Sequence, residues 1–265
     1  MTAGPFEATS VAEAYEKYLV PVIFTPWAKR FVDFAGVSSG DAVLDVASGT
    51  GVVAAESAGR VGPGGRVVAT DVSSAMLAEA AQQHGSISTV VAAADDLDQV
   101  GEQEFDVALC HQGFQFMPDR LAAAESMRRT LRRGGIAAIS VWSPVDVLEP
   151  FDVYGRVLQA DGLPEPFPGG YAFNFVMAED EIAQLLTSAG FADVEVVTET
   201  LEITWPSVDQ AVSGLSGTPY GPAVAALDAE RQERIGAALR ARLRRQHQMS
   251  SVFGRGRAPR SGDEN

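Results

Sequence analysis

The 265-residue sequence predicts an α/β fold: a mostly parallel sheet with helices on both faces. Three observations carry that expectation. Short apolar runs alternate with helical patterns through the first half of the chain. Runs such as Phe105-Asp106-Val107-Ala108-Leu109-Cys110 are nearly continuous in apolar residues, which suits a strand buried on both sides. The stretch Val43-Leu44-Asp45-Val46 breaks at Ala47-Ser48-Gly49-Thr50-Gly51 before small apolar residues resume at Val52, which reads as strand, tight loop and helix start.

Residues 10–35 place Val11, Tyr15, Tyr18, Leu19, Trp27, Phe31 and Phe34 at helical spacing, with Pro21 and Pro26 as interruptions, so two helices precede the first strand. Strands are expected near 42–47, 66–71, 88–93, 105–110 and 135–142, and helices near 51–60, 73–84 and 119–132. Arg132-Arg133-Gly134-Gly135 reads as a helix C-cap and turn. Between 143 and 178, five prolines lie among aromatics without strand periodicity, the pattern of a lid or insertion. A helix at 179–189, a β-rich run at 193–204, helices around 207–216 and 223–245 and a strand near 248–257 complete the order. The expected organisation is one domain over 1–265: a helical segment at 1–39, a ligand-binding core at 40–142, and lid or cap elements at 143–178 and 205–247.

Composition narrows the partners. Lys plus Arg number 20 against 35 Asp plus Glu, a net charge of −15 that repels nucleic acid and anionic membranes. The single Cys110 leaves no intrachain disulfide or cysteine metal site, and His84, His111 and His247 lack metal-ligand spacing, so no metal is expected. With no long apolar run and no basic-plus-apolar leader, the expectation is a cytoplasmic protein with no membrane partner. Nine arginines against three acids between Asp228 and Arg260 read first as a solvated helix face with a frayed tail, and second as an anionic-ligand patch. His247 falls in that segment and reads as solvated, and His84 as a helix terminus.

The chemistry lies at the strand ends. Gly49 and Gly51 let bare backbone approach a ligand, and twenty residues after Gly51 a second apolar run ends at Asp71, placed to accept hydrogen bonds from a ribose. Two acidic strand ends flanking a glycine loop describe a pocket for an adenosine-containing cofactor. Gly49-x-Gly51-x-x-Ala54 with Asp71 also satisfies the dinucleotide fingerprint, so a nicotinamide-dependent oxidoreductase is one alternative. Against it, no Tyr-x-x-x-Lys dyad follows, and the only lysines, Lys17 and Lys29, precede the loop.

Leu44 to Gly51, Ala69-Thr70-Asp71-Val72-Ser73 with Met76-Leu77, Ala94-Asp95-Asp96-Leu97, Phe105 to Gln112, and Leu131 to Gly135 follow one another in an order and spacing that resembles the class I S-adenosylmethionine-dependent methyltransferases. The likeness covers roughly residues 40–142 and is nearest the small-molecule branch with ubiquinone/menaquinone and antibiotic-tailoring enzymes. Ala47 stands where many relatives carry a third glycine. The resemblance implies a doubly wound, Rossmann-like sheet of seven strands with one antiparallel edge strand, and S-adenosylmethionine across the carboxyl ends of strands one to four. It implies that Asp45 and Ala47 fix the loop, Gly49 and Gly51 admit the methionine portion, and Asp71 takes the ribose. Val72 and Met76 pack the adenine edge, Asp95, Asp96 and Leu97 meet the adenine, and carbonyls at Cys110 and Gln112 face the methionine ammonium. Asp96 also fits plain turn chemistry.

A sulfonium methyl needs chiefly alignment with its acceptor, and an oxygen or nitrogen acceptor also needs a base. His111, directly after the fourth strand, is the candidate base, with a pocket-wall imidazole as the other reading. Candidate acceptor contacts are Tyr15, Tyr18, Phe24, Trp27, Phe114, Phe116, Tyr171, Phe173 and Tyr220, each also a candidate core residue. Together they suggest methyl transfer to a hydrophobic small molecule, to oxygen before nitrogen or carbon, in secondary metabolism, with S-adenosylhomocysteine as the other product. A non-catalytic or non-methylating cofactor-bound relative is a further alternative, and a homodimer stays open.

Overall fold

The computed structural model describes residues 6–145, 148–164 and 175–260. Helix α1 (Thr9–Ala14), a π-helical stretch (Tyr15–Phe24) and helix α2 (Thr25–Ala35) run on without a break. The expected interruption does not occur: Pro21, with no N–H to give, lies inside the wide π stretch, and Pro26 stands at the start of α2. Helix α2 buries Trp27, Ala28, Phe31, Val32 and Ala35, a stripe repeating every three to four residues.

Seven strands follow: β1 (Ala42–Val46), β2 (Arg66–Asp71), β3 (Ser88–Val91), β4 (Phe105–His111), β5 (Leu131–Trp142), β6 (Ala192–Thr204) and β7 (Gln246–Arg257). Their order is β3-β2-β1-β4-β5-β7-β6, with β1 to β5 parallel and β7 antiparallel to both neighbours. Helices α3 (Val52–Val61), α4 (Ser74–Gln83), α5 (Arg120–Thr130), α6 (Phe151–Ala160), α7 (Glu179–Ser188), α8 (Val208–Gly214), α9 (Gly221–Ala225) and α10 (Ala229–Arg240) complete the described elements. Helix α6 places ordered structure inside the expected insertion at 143–178.

The pleat divides the core into two. Val43 of β1, Leu109 of β4, Ala138 and Trp142 of β5 and Phe253 of β7 face the cluster that holds Trp27, Phe31 and Tyr154. Their alternates Leu44, Cys110, Ile139 and Val252 face the opposite cluster with Met127, Ile182 and Leu186. This period of two decides which side chains reach the site, because a shift of one residue changes sheet face.

Three expectations are corrected here. Arg132 to Gly135 form the head of β5 rather than a cap: pairing runs Phe105 to Leu131 and then Val107 to Ile136, an irregularity that Gly134 accommodates at φ 79°. Arg132 there reaches Asp106, which also accepts from the Ala42 amide. His247 is buried on β7, not solvated, and burial lowers its pKa. Much of the arginine surplus is taken up in ion pairs, Arg231 and Arg234 with Asp161, Arg244 with Glu149, Arg255 with Glu195, and Gln246–Arg257 of that segment form a sheet strand rather than a frayed tail. Among the described residues no helix is long and apolar enough to cross a membrane.

Candidate active site

At the carboxyl ends of β1, β2, β4 and β5 lies a cavity of about 450 Å³, within the usual size of small-molecule sites. Asp45, on the Val43 face of β1, is 1% exposed, and neither carboxylate oxygen completes a hydrogen bond at ordinary geometry. Burial pushes its pKa up to about 8; the nearby Ala54 amide in the first turn of α3 offsets part of this, and the charge of Asp71 adds to it.

Asp71, at the end of β2, accepts the Gly49 amide at 2.9 Å and the Ser73 amide at 2.8 Å. It thereby ties the glycine loop to the start of α4 while lining the cavity, and burial raises its pKa against those two amides. Ala47 and Gly49 turn the loop at φ 54° and 55°. A Cβ on Gly49 would meet nothing within 4 Å, so the loop leaves open space there, and the hydroxyl of Ser48 beside it is buried without a partner. Orphaned acidic oxygens, a free hydroxyl and an open backbone turn fit a ligand that carries an ammonium and hydroxyls. No cation stands in the loop to take a phosphate. These residues therefore fit S-adenosylmethionine. Asp71→Ala should weaken S-adenosylhomocysteine binding by about 1–3 kcal/mol, since it removes a charged acceptor and frees two amides; calorimetry reads this directly.

The structure also brings Val72, Met76, Asp95 and Gln112 to the cavity. It does not bring four other expected cofactor residues there. Gly51 caps α3 at φ 86° with a would-be Cβ 3.1 Å from Ala80, so its missing side chain serves the approach of α3 to α4. Asp96 is exposed in a turn, donating its amide to Ala93. Leu97 is buried on the opposite face, its amide given to Ser126 Oγ at 3.2 Å rather than to a ligand. Cys110 points to that same face. Ala92, Ala93 and Ala94 line the wall instead, small residues that offered no chemical signal in the sequence.

The other half of the cavity is apolar. Tyr15, Phe24 and Phe116 line it, with Leu19, Trp142, Phe151 and Phe175. Trp27 is fully buried behind it, edge-on to Trp142 and Phe253, and Phe114 lies across the sheet in the opposite core. Tyr18 faces a shallow groove with Val212 and Leu239, and Tyr220 is buried beside the wall formed by Gly217, Thr218 and Pro219. Tyr171 and Phe173 lie outside the described residues.

His111 closes β4 on the cavity side. Its ring stacks on Phe31 at 5.2 Å, Phe24 stands edge-on at 6.3 Å, and Nδ1 meets Ser140 Oγ at 2.5 Å. Nε2 is buried without a partner, and desolvation lowers the pKa to about 3, so the ring is neutral at pH 7. Gln115, in the Phe114-Gln115-Phe116-Met117 loop expected to help select the acceptor, lines the cavity at 7% exposure with an unpartnered Oε1.

Comparison with known proteins agrees with this geometry. A family model described as a methyltransferase domain matches residues 43–135. The nocamycin O-methyltransferase of Saccharothrix syringae is 30% identical over 79% of this chain and 76% of its own. A ubiquinone/menaquinone biosynthesis C-methyltransferase of Hahella chejuensis is 33% identical over 48% of this chain and 55% of its own. The fold matches that of phosphoethanolamine N-methyltransferase 2 of Haemonchus contortus, solved with S-adenosyl-L-methionine, at a TM-score of 0.60 and 17% identity, over 96% of this chain and 57% of that one. With the glycine loop, its acids and these relatives in hand, the chain belongs to the class I S-adenosylmethionine-dependent methyltransferases.

Proposed function

We propose that this methyltransferase places the methyl group of S-adenosylmethionine on a hydroxyl oxygen of an apolar small molecule in secondary metabolism. The observation that carries the reading is His111: a neutral imidazole at the end of β4 with a free Nε2 beside an aromatic cavity. The relative named as a nocamycin O-methyltransferase supports oxygen over carbon as the site of attack.

In this reading Asp45, Ala47, Gly49, Asp71, Val72, Met76, Asp95 and Gln112 hold the cofactor. When bound, it supplies an electrophilic methyl whose transfer removes a positive charge, which a dry wall favours. Asp71 takes ribose hydroxyls and fixes the loop through the Gly49 amide. Tyr15, Phe24 and Phe116 exclude water and pack the acceptor. His111 accepts the hydroxyl proton at Nε2 while Nδ1–H donates to Ser140 Oγ, which fixes the ring. Incubation with methyl-labelled cofactor and a panel of phenols, enols, amines and activated carbons tests this. The expected product carries its label on oxygen, by mass and NMR; label found solely on carbon or nitrogen defeats it.

A further inference from the structure

The inside of the cavity holds a second polar device, whose polarity can be worked out from its far end. Ser251 Oγ, on β7, gives its one proton to the Val141 carbonyl at 3.0 Å. It can then only accept from Gln112, so the Gln112 amide turns its Nε2 toward Ser251 at 2.9 Å and its Oε1 toward Gln115. Gln115 in turn gives Nε2 to Gln112 Oε1, at 3.4 Å, and its own Oε1 is left over. All three side chains are more than nine-tenths buried. A fully buried, unsatisfied carbonyl is costly unless a ligand completes it.

The relay runs from β5 and β7 toward the end of β4, on the side of β1 away from Asp71 and Asp95. We propose that Gln115 Oε1 is the group that selects the methyl acceptor, by taking a hydrogen bond from a second O–H or N–H, apart from the hydroxyl that is methylated, on an otherwise apolar molecule. Ser251 and Gln112 are positioning residues that keep the carbonyl end of that amide turned to the ligand. This rests on the acceptor reading above and adds to it a requirement for a second donor on the acceptor. A site built around a buried acceptor discriminates strongly against an analogue that lacks the donor.

The test uses the full chain loaded with S-adenosylhomocysteine and two matched probes, naphthalene-2,7-diol and 7-methoxy-2-naphthol, titrated by calorimetry. Wild type is expected to prefer the diol by about tenfold or more. In Gln115→Met the preference should fall to within about threefold, while affinities for S-adenosylhomocysteine and the methoxy probe hold. Ser251→Ala, which never touches the ligand, should lower the same ratio and Ser251→Thr should restore it, with thermal melts confirming each fold. The proposal is overturned by a wild type that shows no preference, or by a variant that retains it. It is equally overturned if Gln115→Met weakens S-adenosylhomocysteine but not 5′-methylthioadenosine, which places the donor on the methionine part of the cofactor. Diol preference without labelled product would count against the transfer reading and leave the selection role intact.

Discussion

Replacing His111 with phenylalanine is expected to cut turnover on a hydroxyl acceptor by about 10²–10⁴ with little change in cofactor affinity. Phenylalanine keeps the stack on Phe31 and removes both nitrogens, so packing changes least while proton transfer is lost. The pH profile is the sharper reading. A histidine at its ordinary pKa would impose an acid limb near 6.5, but burial lowers His111 to about 3, so its basic form persists through neutral and mildly acidic pH. The rate should therefore be level with respect to His111 between about pH 5 and 8. A single-turnover limb at about 6.5 that disappears in the variant would show that the ring titrates as a hydrated one and would remove the dry-base picture.

Asp45 should make the ligand-free protein less stable as pH rises. An unfolded carboxyl titrates near about 3.9, whereas burial raises Asp45 in the fold to about 8. Between those values the folded protein holds a proton that the unfolded chain has released, so stability falls with increasing pH. Below the lower value the cost is absent, and above the upper one it is complete. The difference converts to roughly 6 kcal/mol. Urea unfolding at pH 5 and pH 8 should show the wild type losing about 4 kcal/mol more than Asp45→Asn over that interval. Identical losses would mean that the carboxyl is solvated in the fold. Saturating S-adenosylhomocysteine should shrink the wild-type loss, because its ammonium favours the ionised carboxylate.

The strand-loop-helix around Asp45 and the β2 end at Asp71 were legible in the sequence because local chemistry dictates them: apolar run, left-handed turn, small-residue helix. So was the strand alternation that carries His111 to the cavity. What was not legible depends on the face a side chain takes. Trp27, Phe114 and Tyr220 carry the same aromatic signal as Phe24 and Phe116, yet packing sends them into the two cores. Cys110 and His111 are adjacent in sequence and lie on opposite faces of the sheet. The continuous helix through Pro21 was hidden because a π stretch is not written in a 3.6-residue period. Helix α6 was masked by the prolines on either side of it, Pro150 and Pro164.

The placement of β7 has a consequence for assembly. Strand β6 touches the sheet only through β7, and the chain reaches β7 after three further helices have been made. Until then a thirteen-residue strand has no neighbour on either edge, while β1 to β4, the part proposed to hold the cofactor, already have all of their pairings. Such distant closure is slow. A kinetic species that takes up S-adenosylhomocysteine before Ser251 has reached Gln112 would thus be able to hold the methyl donor and unable to choose what receives it.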